Sequence, residues 1–165
     1  MSPARAWCYR SCGPDTGRAV LFLHGFLGSS EDWLPVAESL SDAFLCLAVD
    51  LPGHGGTPAA HAGVPETADA LAELLDAFRI ERCAVVGYSM GGRIALSLLL
   101  RHPGRARCAV VESASPGIED EAARIERRER DDALARELER GPLDAFVDRW
   151  YAQPLFASLR GRPGY

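Results

Sequence analysis

The residues with the clearest chemical potential lie at 87–91, where the sequence reads Gly-Tyr-Ser-Met-Gly. A serine in this pattern, on a turn from a strand into a helix, is typical of a catalytic nucleophile. The glycines let strand and helix approach closely, and the hydroxyl stands clear of the backbone. An apolar, β-branched run precedes the turn at 83–86 and an apolar helical stretch follows it at 93–100. The pattern predicts Ser89 as a catalytic residue. The alternative is an ordinary surface serine on a glycine-rich turn.

Chemistry at such a serine builds negative charge on a substrate oxygen, which backbone N–H donors stabilise. The N–H of Met90 is one candidate donor, because it opens the predicted helix. The N–H of Phe26 is the other. It belongs to a His-Gly-Phe segment that follows an apolar run at 20–23, and a His-Gly loop after an early strand supplies the second donor in folds with this turn.

The elements that must position these groups alternate between strand and helix patterns, which predicts an α/β fold with a mostly parallel sheet and helices on both faces. We predict strands at 6–10, 20–23, 44–49, 83–86 and 109–112 and helices at 31–40, 67–78 and 89–101. Ser30 is the expected cap of the first helix. In this order the elements form the N-terminal part of an α/β-hydrolase fold, and the C-terminal strands of that fold are missing.

The amino-acid composition changes after the fifth predicted strand. Residues 118–140 carry dense charge of both signs and few apolar side chains, which favours an exposed helix or helix pair. Gly141 and Pro142 interrupt this stretch, and apolar residues at helical spacing resume at 143–150. We therefore predict a core domain at 1–113 and an incomplete helical cap at 114–165.

A serine needs a base to take its proton, usually a histidine that an acid orients. In α/β-hydrolases the acid and the histidine follow the serine in the chain. His102 is the only histidine after Ser89, and thirteen helical residues would separate the two by about 20 Å. It is better explained as a residue that meets the last carbonyls of its helix. His24 and His54 remain open as a base, as loop-ordering groups or as substrate contacts.

Composition narrows the class of protein. The 165 residues are 47% apolar and 25% charged, as in one soluble globular chain, and the net charge of −5 argues against nucleic-acid binding. A signal peptide and an apolar run long enough to span a bilayer are both absent from the pattern, so we expect a cytoplasmic protein without membrane contact. The five cysteines have no zinc-like spacing, so we expect no metal site. Three of them lie in or beside predicted core strands, where we expect buried, free cysteines.

Several segments resemble one family more specifically than the fold does. They are Leu-His-Gly-Phe-Leu-Gly at 23–28, Glu-Asp-Trp at 31–33, Val-Asp-Leu-Pro-Gly-His-Gly at 49–55, Val-Gly-Tyr-Ser-Met-Gly-Gly-Arg at 86–93, Val-Glu-Ser-Ala-Ser-Pro-Gly at 111–117 and Trp-Tyr-Ala-Gln-Pro-Leu-Phe-Ala-Ser at 150–158. Over residues 20–159 they are similar to the 2-succinyl-6-hydroxy-2,4-cyclohexadiene-1-carboxylate synthases of menaquinone biosynthesis.

The resemblance implies a lyase. Such enzymes remove pyruvate from an enolpyruvyl-hydroxycyclohexene carboxylate that carries a succinyl arm. In that family the serine, assisted by a histidine, abstracts a ring proton. The backbone N–H donors of the oxyanion hole hold the developing enolate. The resemblance implies no metal and no organic cofactor, and its substrate is a small polycarboxylate. The family's catalytic acid and histidine have no matching positions in this chain.

Five further residues are expected to contact the substrate. Arg93 lies one helical turn after Ser89, and arginine suits a carboxylate in a partly dry pocket. The resemblance implies that Arg127 is the carboxylate-binding arginine of the cap and that Trp150 is its pocket tryptophan. Tyr88 adjoins the nucleophile, and His24 lies on the other loop. The alternative for Arg127 is an exposed ion pair with Glu121 or Asp131; for Trp150 it is a place in the core.

Two other functions remain open from the sequence. One is a related esterase or carbon–carbon hydrolase with the same serine. The other is a truncated, non-catalytic protein that binds a polycarboxylate without turning it over. The sequence does not indicate an oligomeric state.

Overall fold

The computed structural model describes residues 7–15, 18–59 and 63–159. The chain forms two compact units, Met1–Pro116 and Gly117–Tyr165, so the division falls three residues later than the predicted one. Each unit is described by itself below.

Unit 1 is built on a five-stranded sheet in the order β1-β3-β2-β4-β5. The strands are β1 Tyr9–Cys12, β2 Ala19–Leu23, β3 Leu45–Val49, β4 Cys83–Tyr88 and β5 Ala106–Glu112. Strand β1 pairs antiparallel with β3, and every other pair is parallel. This is the predicted α/β class and strand succession. The first strand was predicted at 6–10 but begins at Tyr9; residue 6 lies outside the described residues.

Strand β2 is apolar throughout because both of its faces are buried, as is usual in parallel sheets. Its alternate residues enter two different cores. Leu21 and Leu23 join the larger cluster, and Val20 and Phe22 join the smaller one. The larger core also contains apolar residues of two helices, while the smaller one contains Ala37 of another helix. Helices therefore cover both faces of the sheet, as the alternation predicts.

The helices of unit 1 are α1 Leu34–Leu40, α2 Val64–Ala77 and α3 Met90–Arg101. Those of unit 2 are α4 Glu121–Arg140 and α5 Leu143–Tyr151, followed by a 3-10 helix at Pro154–Leu159. The charged stretch predicted as one helix or two is a single helix. Its described residues include none that are buried, which agrees with its composition. Among the described residues, the structure contains no helix with the length and apolar character that crossing a membrane requires.

The start of the helix predicted at 31–40 differs from the prediction. A 3-10 helix at Ser30–Trp33 precedes α1, and its cap is Ser29 rather than Ser30. The Ser29 hydroxyl accepts from the N–H of Glu31 at 3.3 Å, and the Ser29 N–H donates to Asp32 Oδ2 at 3.0 Å. Ser30 is buried instead, because its own N–H is used elsewhere in the fold. Two adjacent serines offer the same cap chemistry, so the pattern could not choose between them.

Helix α3 offers a matched test of the packing. Leu98 is 0% exposed in the larger core, whereas Leu100 on the same helix is 81% exposed. We predict that Leu98→Ala lowers the free energy of unfolding by about 2–5 kcal/mol, since it leaves a cavity. Leu100→Ala should change it by less than about 1 kcal/mol. Urea unfolding of both variants measures the difference, and equal losses would contradict this account of the core.

Candidate active site

Ser89 lies on a sharp turn between β4 and α3. Its backbone has φ +51° and ψ −109°, a left-handed conformation that is strained for a residue with a side chain. Two hydrogen bonds hold the turn: the Ser89 N–H donates to the Glu112 carbonyl at 2.9 Å, and the Ser89 carbonyl accepts from the Arg93 N–H at 3.1 Å. This is the geometry that the Gly-x-Ser-x-Gly pattern predicts.

The glycines of the turn are required by close backbone contacts. A Cβ on Gly87 would lie against the backbone of Gly91 and Gly92, and a Cβ on Gly91 would overlap the carbonyl groups of Leu23 and His24. Both are contacts with main-chain atoms, which cannot move aside as a flexible side chain can. The start of α3 therefore lies directly on the end of β2, which no larger residue would permit.

The same contacts bring the predicted oxyanion loop to the serine. The Gly91 N–H donates to the His24 carbonyl at 3.1 Å. A Cβ on Gly25 would meet the Tyr88 ring and would lie 3.6 Å from the Cβ of Ser89. The loop that contains Phe26 and the helix start that contains Met90 thus meet beside the serine. The two segments that contain the predicted N–H donors are therefore neighbours of Ser89 in the fold.

His24 is buried in the loop that follows β2. Its side chain is 1% exposed, and both ring nitrogens have partners. Nε2 accepts from the Leu51 N–H at 2.9 Å, and Nδ1 lies 2.7 Å from the Gly25 carbonyl oxygen. Only the neutral tautomer with the proton on Nδ1 satisfies both bonds. In this structure His24 fits the loop-ordering alternative, and its contact with a substrate stays a prediction.

The surroundings of His24 favour this neutral form. Burial is the largest cause that lowers its pKa below the ordinary value, and the nearby His54 lowers it further. The hydrogen bond to Gly25 and the charges of Asp32 and Asp50 act in the opposite direction without reversing the shift. His24 thus remains uncharged where a free histidine would begin to take up a proton.

Asp50 is a second buried group of this region, and the sequence analysis did not single it out. Its carboxylate accepts from the Ser30 N–H at 2.7 Å and from the Gly56 N–H at 2.8 Å. Burial alone would raise the pKa of Asp50, but the two N–H groups outweigh it and the pKa is lowered. The signal was present in the sequence as an acid directly after a buried strand and before a glycine-rich loop.

The two remaining candidates of unit 1 lie on opposite sides of the serine along the chain. Tyr88 ends β4, is partly exposed and packs on Gly25. Arg93 is exposed in the first turn of α3, and its guanidinium has no carboxylate partner within the described part of the chain. Arg93 is therefore available to bind an anion, whereas an arginine in an ion pair already has a carboxylate partner.

His102 is engaged at the other end of α3. Its Nε2 lies 2.7 Å from Asp69 Oδ1, and Arg101 contacts the same carboxylate through two nitrogens. The expected contact of the His102 side chain with the last helix carbonyls is replaced by this acidic partner on α2. With either partner, the His102 ring lies at the opposite end of α3 from Ser89.

In unit 2 the two candidates, Arg127 and Trp150, each contact other side chains of the same unit. The Arg127 Nε donates to both carboxylate oxygens of Asp131 at 2.9 Å, which is the ion pair considered as its alternative. The Trp150 ring stacks on Phe146 at 6.2 Å between centroids and lies 6.3 Å from the ring of Phe156. Phe146 is buried while Trp150 is partly exposed.

Comparisons with known proteins agree with this architecture. A model of the α/β hydrolase fold family matches residues 18–150. The 2-succinyl-6-hydroxy-2,4-cyclohexadiene-1-carboxylate synthase of Enterobacter sp. strain 638 is 41% identical, over 86% of this chain and 55% of that protein. The enzyme of the same name from Escherichia coli O1:K1 is 38% identical over 85% and 56%. The chain thus spans little more than half the length of these relatives.

Solved structures are similar over the same regions. The structure of MenH from S. aureus superposes with a TM-score of 0.85 at 32% identity, covering 96% of this chain and 60% of that one. A marine microorganism esterase gives a TM-score of 0.67 at 26% identity, covering 79% and 50%. The match of the family model over most of the chain, on a sheet and a serine turn of the expected geometry, shows that this chain belongs to the α/β hydrolase fold family.

Proposed function

We propose that this chain is part of a lyase that eliminates pyruvate from 2-succinyl-5-enolpyruvyl-6-hydroxy-3-cyclohexene-1-carboxylate. The product is 2-succinyl-6-hydroxy-2,4-cyclohexadiene-1-carboxylate, in menaquinone biosynthesis. The strained Ser89 turn beside the His24–Phe26 loop carries the proposal, together with the identity of about 40% to synthases of that name. We place the reaction in the cytoplasm, with a small polycarboxylate as substrate and no nucleic-acid or membrane partner.

In this mechanism Ser89 contributes the oxygen that removes a ring proton. The electrons left behind move toward the neighbouring succinyl carbonyl, whose oxygen becomes negative. The backbone N–H groups of Phe26 and Met90 donate to that oxygen and lower the energy of the enolate. Collapse of the enolate breaks the ring C–O bond to the enolpyruvyl group, which leaves as the enolate of pyruvate and takes up a proton to give pyruvate. The reaction assigns the serine the role of a base, so no acyl-enzyme forms.

Ser89 is a strong base only when a second group takes its proton. Neither His24 nor His102 serves, because both ring nitrogens of His24 are used and His102 pairs with Asp69. The proposal therefore assigns the role of proton acceptor to a histidine other than His24 and His102. His54, whose ring lies 6.0 Å from that of Phe26, is the remaining candidate among the described histidines.

The carboxylates of the substrate need cationic partners. Arg93 supplies an unpaired guanidinium one turn after the serine, and we assign Arg127 to a second carboxylate. Arg127 must then exchange Asp131 for the substrate. This exchange is energetically easy because exposed ion pairs of this kind contribute only about 0–1 kcal/mol. Trp150 and Tyr88 are assigned to the apolar surface that the ring would meet.

The alternative hypothesis, an esterase, is favoured by the superposition on a marine esterase. It uses the same serine but forms an ester with the substrate. Ready cleavage of p-nitrophenyl esters without pyruvate release from the cyclohexene carboxylate would favour this reading over the lyase.

The first test of this function concerns Ser89. In the natural full-length protein, Ser89→Ala should lower pyruvate release about 1000-fold or more, because the reacting oxygen is lost. Ser97→Ala on the same helix is the matched control and should retain near-normal kcat. Release of pyruvate can be followed with lactate dehydrogenase. Unchanged turnover in Ser89→Ala would exclude the mechanism.

A second prediction separates the cap arginines. Arg127→Ala should raise KM about 10-fold or more, since a charge-assisted hydrogen bond to a carboxylate is lost. Arg128→Ala removes the adjacent exposed arginine and should leave KM within about twofold. Steady-state kinetics on both variants give the comparison; equal KM values would remove Arg127 from the site.

A third prediction follows from the neutral state of His24. Its folded pKa lies below 6.5, its ordinary value, so the unfolded chain binds the proton first as pH falls. The stability contributed by His24 is thus complete above pH 6.5 and is lost as pH falls toward its folded pKa. The difference in unfolding free energy between the native chain and His24→Gln should shrink by up to about 1.4 kcal/mol per pH unit there. Urea unfolding between pH 7.5 and 5.5 measures it, and a constant difference would show that His24 is not held neutral.

A further inference from the structure

Two cysteines face each other across the edge of the sheet. Cys12 on β1 is directly opposite Cys46 on β3 in the antiparallel register. Directly opposite residues of an antiparallel pair point to the same face of the sheet, and the structure packs Cys12 against the core cluster that contains Cys46. The Cys12 thiol also helps to raise the pKa of the Cys46 thiol, as expected of two neighbouring sulfurs. Both residues are free cysteines in this structure.

The backbone spacing at this pair suits a disulfide. The Asp50 N–H donates to the Cys8 carbonyl, so positions 8 and 50 form a hydrogen-bonded pair. Pair types alternate along an antiparallel ladder, and 12 and 46 lie four residues farther along each strand. They are therefore a hydrogen-bonded pair too, with Cα atoms about 5.5 Å apart. Disulfides join Cα atoms about 4.4–6.8 Å apart.

We propose that Cys12 and Cys46 are a reversible dithiol site, which a small-molecule disulfide such as glutathione disulfide oxidises to a cross-strand disulfide. The inference is independent of the proposed lyase function, since it depends only on β1 and β3.

The reaction is two successive thiol–disulfide exchanges. Cys12, as its thiolate, attacks one sulfur of the oxidant, forms a mixed disulfide and releases one reduced thiol. The Cys46 sulfur then attacks the Cys12 sulfur of that mixed disulfide and releases the second thiol. The two cysteines lose two electrons and two protons, and the oxidant gains both.

Exposure assigns the order of these steps. Cys46 is 0% exposed, and burial is the main cause that raises the pKa of its thiol to about 11, with Cys12 adding to the effect. Of this pair, a dissolved oxidant can reach only Cys12, which is partly exposed at the edge of the sheet. Cys46 then meets the mixed disulfide without moving far, because its neighbour is already in contact.

The other described cysteines do not share this arrangement. Cys83 and Cys108 lie on neighbouring parallel strands, but their ladder partners are Ala106 and Ala84. Cys8 is exposed and has no cysteine opposite, since its counterpart is Asp50. These three residues are the internal controls for selectivity.

The disulfide would close a loop that contains β2, the His24–Phe26 segment and α1. Cross-linking a loop of this length restricts the unfolded chain and stabilises the native one. We therefore expect the oxidised chain to melt several degrees higher than the reduced chain, and we expect the gain to disappear in Cys12→Ser.

The experiment incubates the native chain with glutathione disulfide, alkylates the remaining thiols under denaturing conditions and digests the chain with trypsin. Each cysteine lies on its own tryptic peptide, with boundaries 6–10, 11–18, 19–79, 83–93 and 108–124. The expected result is a disulfide between peptides 11–18 and 19–79, three alkylated cysteines and full reversal by dithiothreitol. All five cysteines alkylated, or glutathione retained on Cys12 with Cys46 alkylated, would overturn the proposal.

Two variants complete the test without depending on a perturbed core. Cys46→Ala keeps a small apolar residue in place and should leave glutathione on Cys12. Cys108→Ser should form the disulfide as the native chain does. Formation of the 11–18/19–79 link at the same rate in a urea-unfolded chain would mean that the folded register contributes nothing, and this outcome would also contradict the proposal.

Discussion

The contact on which the site depends is the approach of the α3 backbone to the end of β2. At Gly91 the two chains are so close that a single added carbon would overlap the carbonyl groups of Leu23 and His24. That contact sets the direction in which α3 leaves the sheet, and so it fixes Ser89 in its left-handed conformation. Such strain costs about 1–3 kcal/mol and persists only where the surroundings over-determine it. Here the β2–β4–β5 ladder and the bond from Ser89 to Glu112 supply the constraint.

Buried polar groups extend the same constraint to the neighbouring loops. His24 joins its own loop to the segment after β3 through Leu51, and Asp50 joins that segment to Ser30 and Gly56. The bonds to Leu51 and Ser30 satisfy main-chain N–H groups that would otherwise be buried without a partner, at a cost of about 1–3 kcal/mol. The ring of His24 and the carboxylate of Asp50 therefore contribute to the candidate site by ordering its loops. They hold the loop after β2 against the segment after β3.

The sequence predicted the fold well because the strong signals were local. Continuous apolar runs at 20–23 and 83–86 indicate strands buried on both faces, and the glycines around Ser89 indicate a turn that needs close approach. The details that the sequence could not decide depend on contacts between distant residues. Whether Ser29 or Ser30 caps the 3-10 helix is decided by Asp50, twenty residues away from Ser30. The role of His24 is decided by Leu51, twenty-seven residues away. A histidine beside a glycine has the same sequence appearance whether it faces a pocket or the core.

The candidate groups differ in how firmly they are held, and the difference matches their assigned roles. In unit 1 the serine and its donors are fixed by buried hydrogen bonds and by backbone packing, which suits groups that must already be in place when charge develops on the substrate. In unit 2 the Arg127 side chain is held by an exposed pair with Asp131, on a helix with no buried residue among those described. Exposed pairs are weak and are screened by salt, so a substrate carboxylate can displace Asp131 at little cost. The groups proposed to stabilise the reaction are thus held rigidly, whereas the group proposed to select the substrate can change partners.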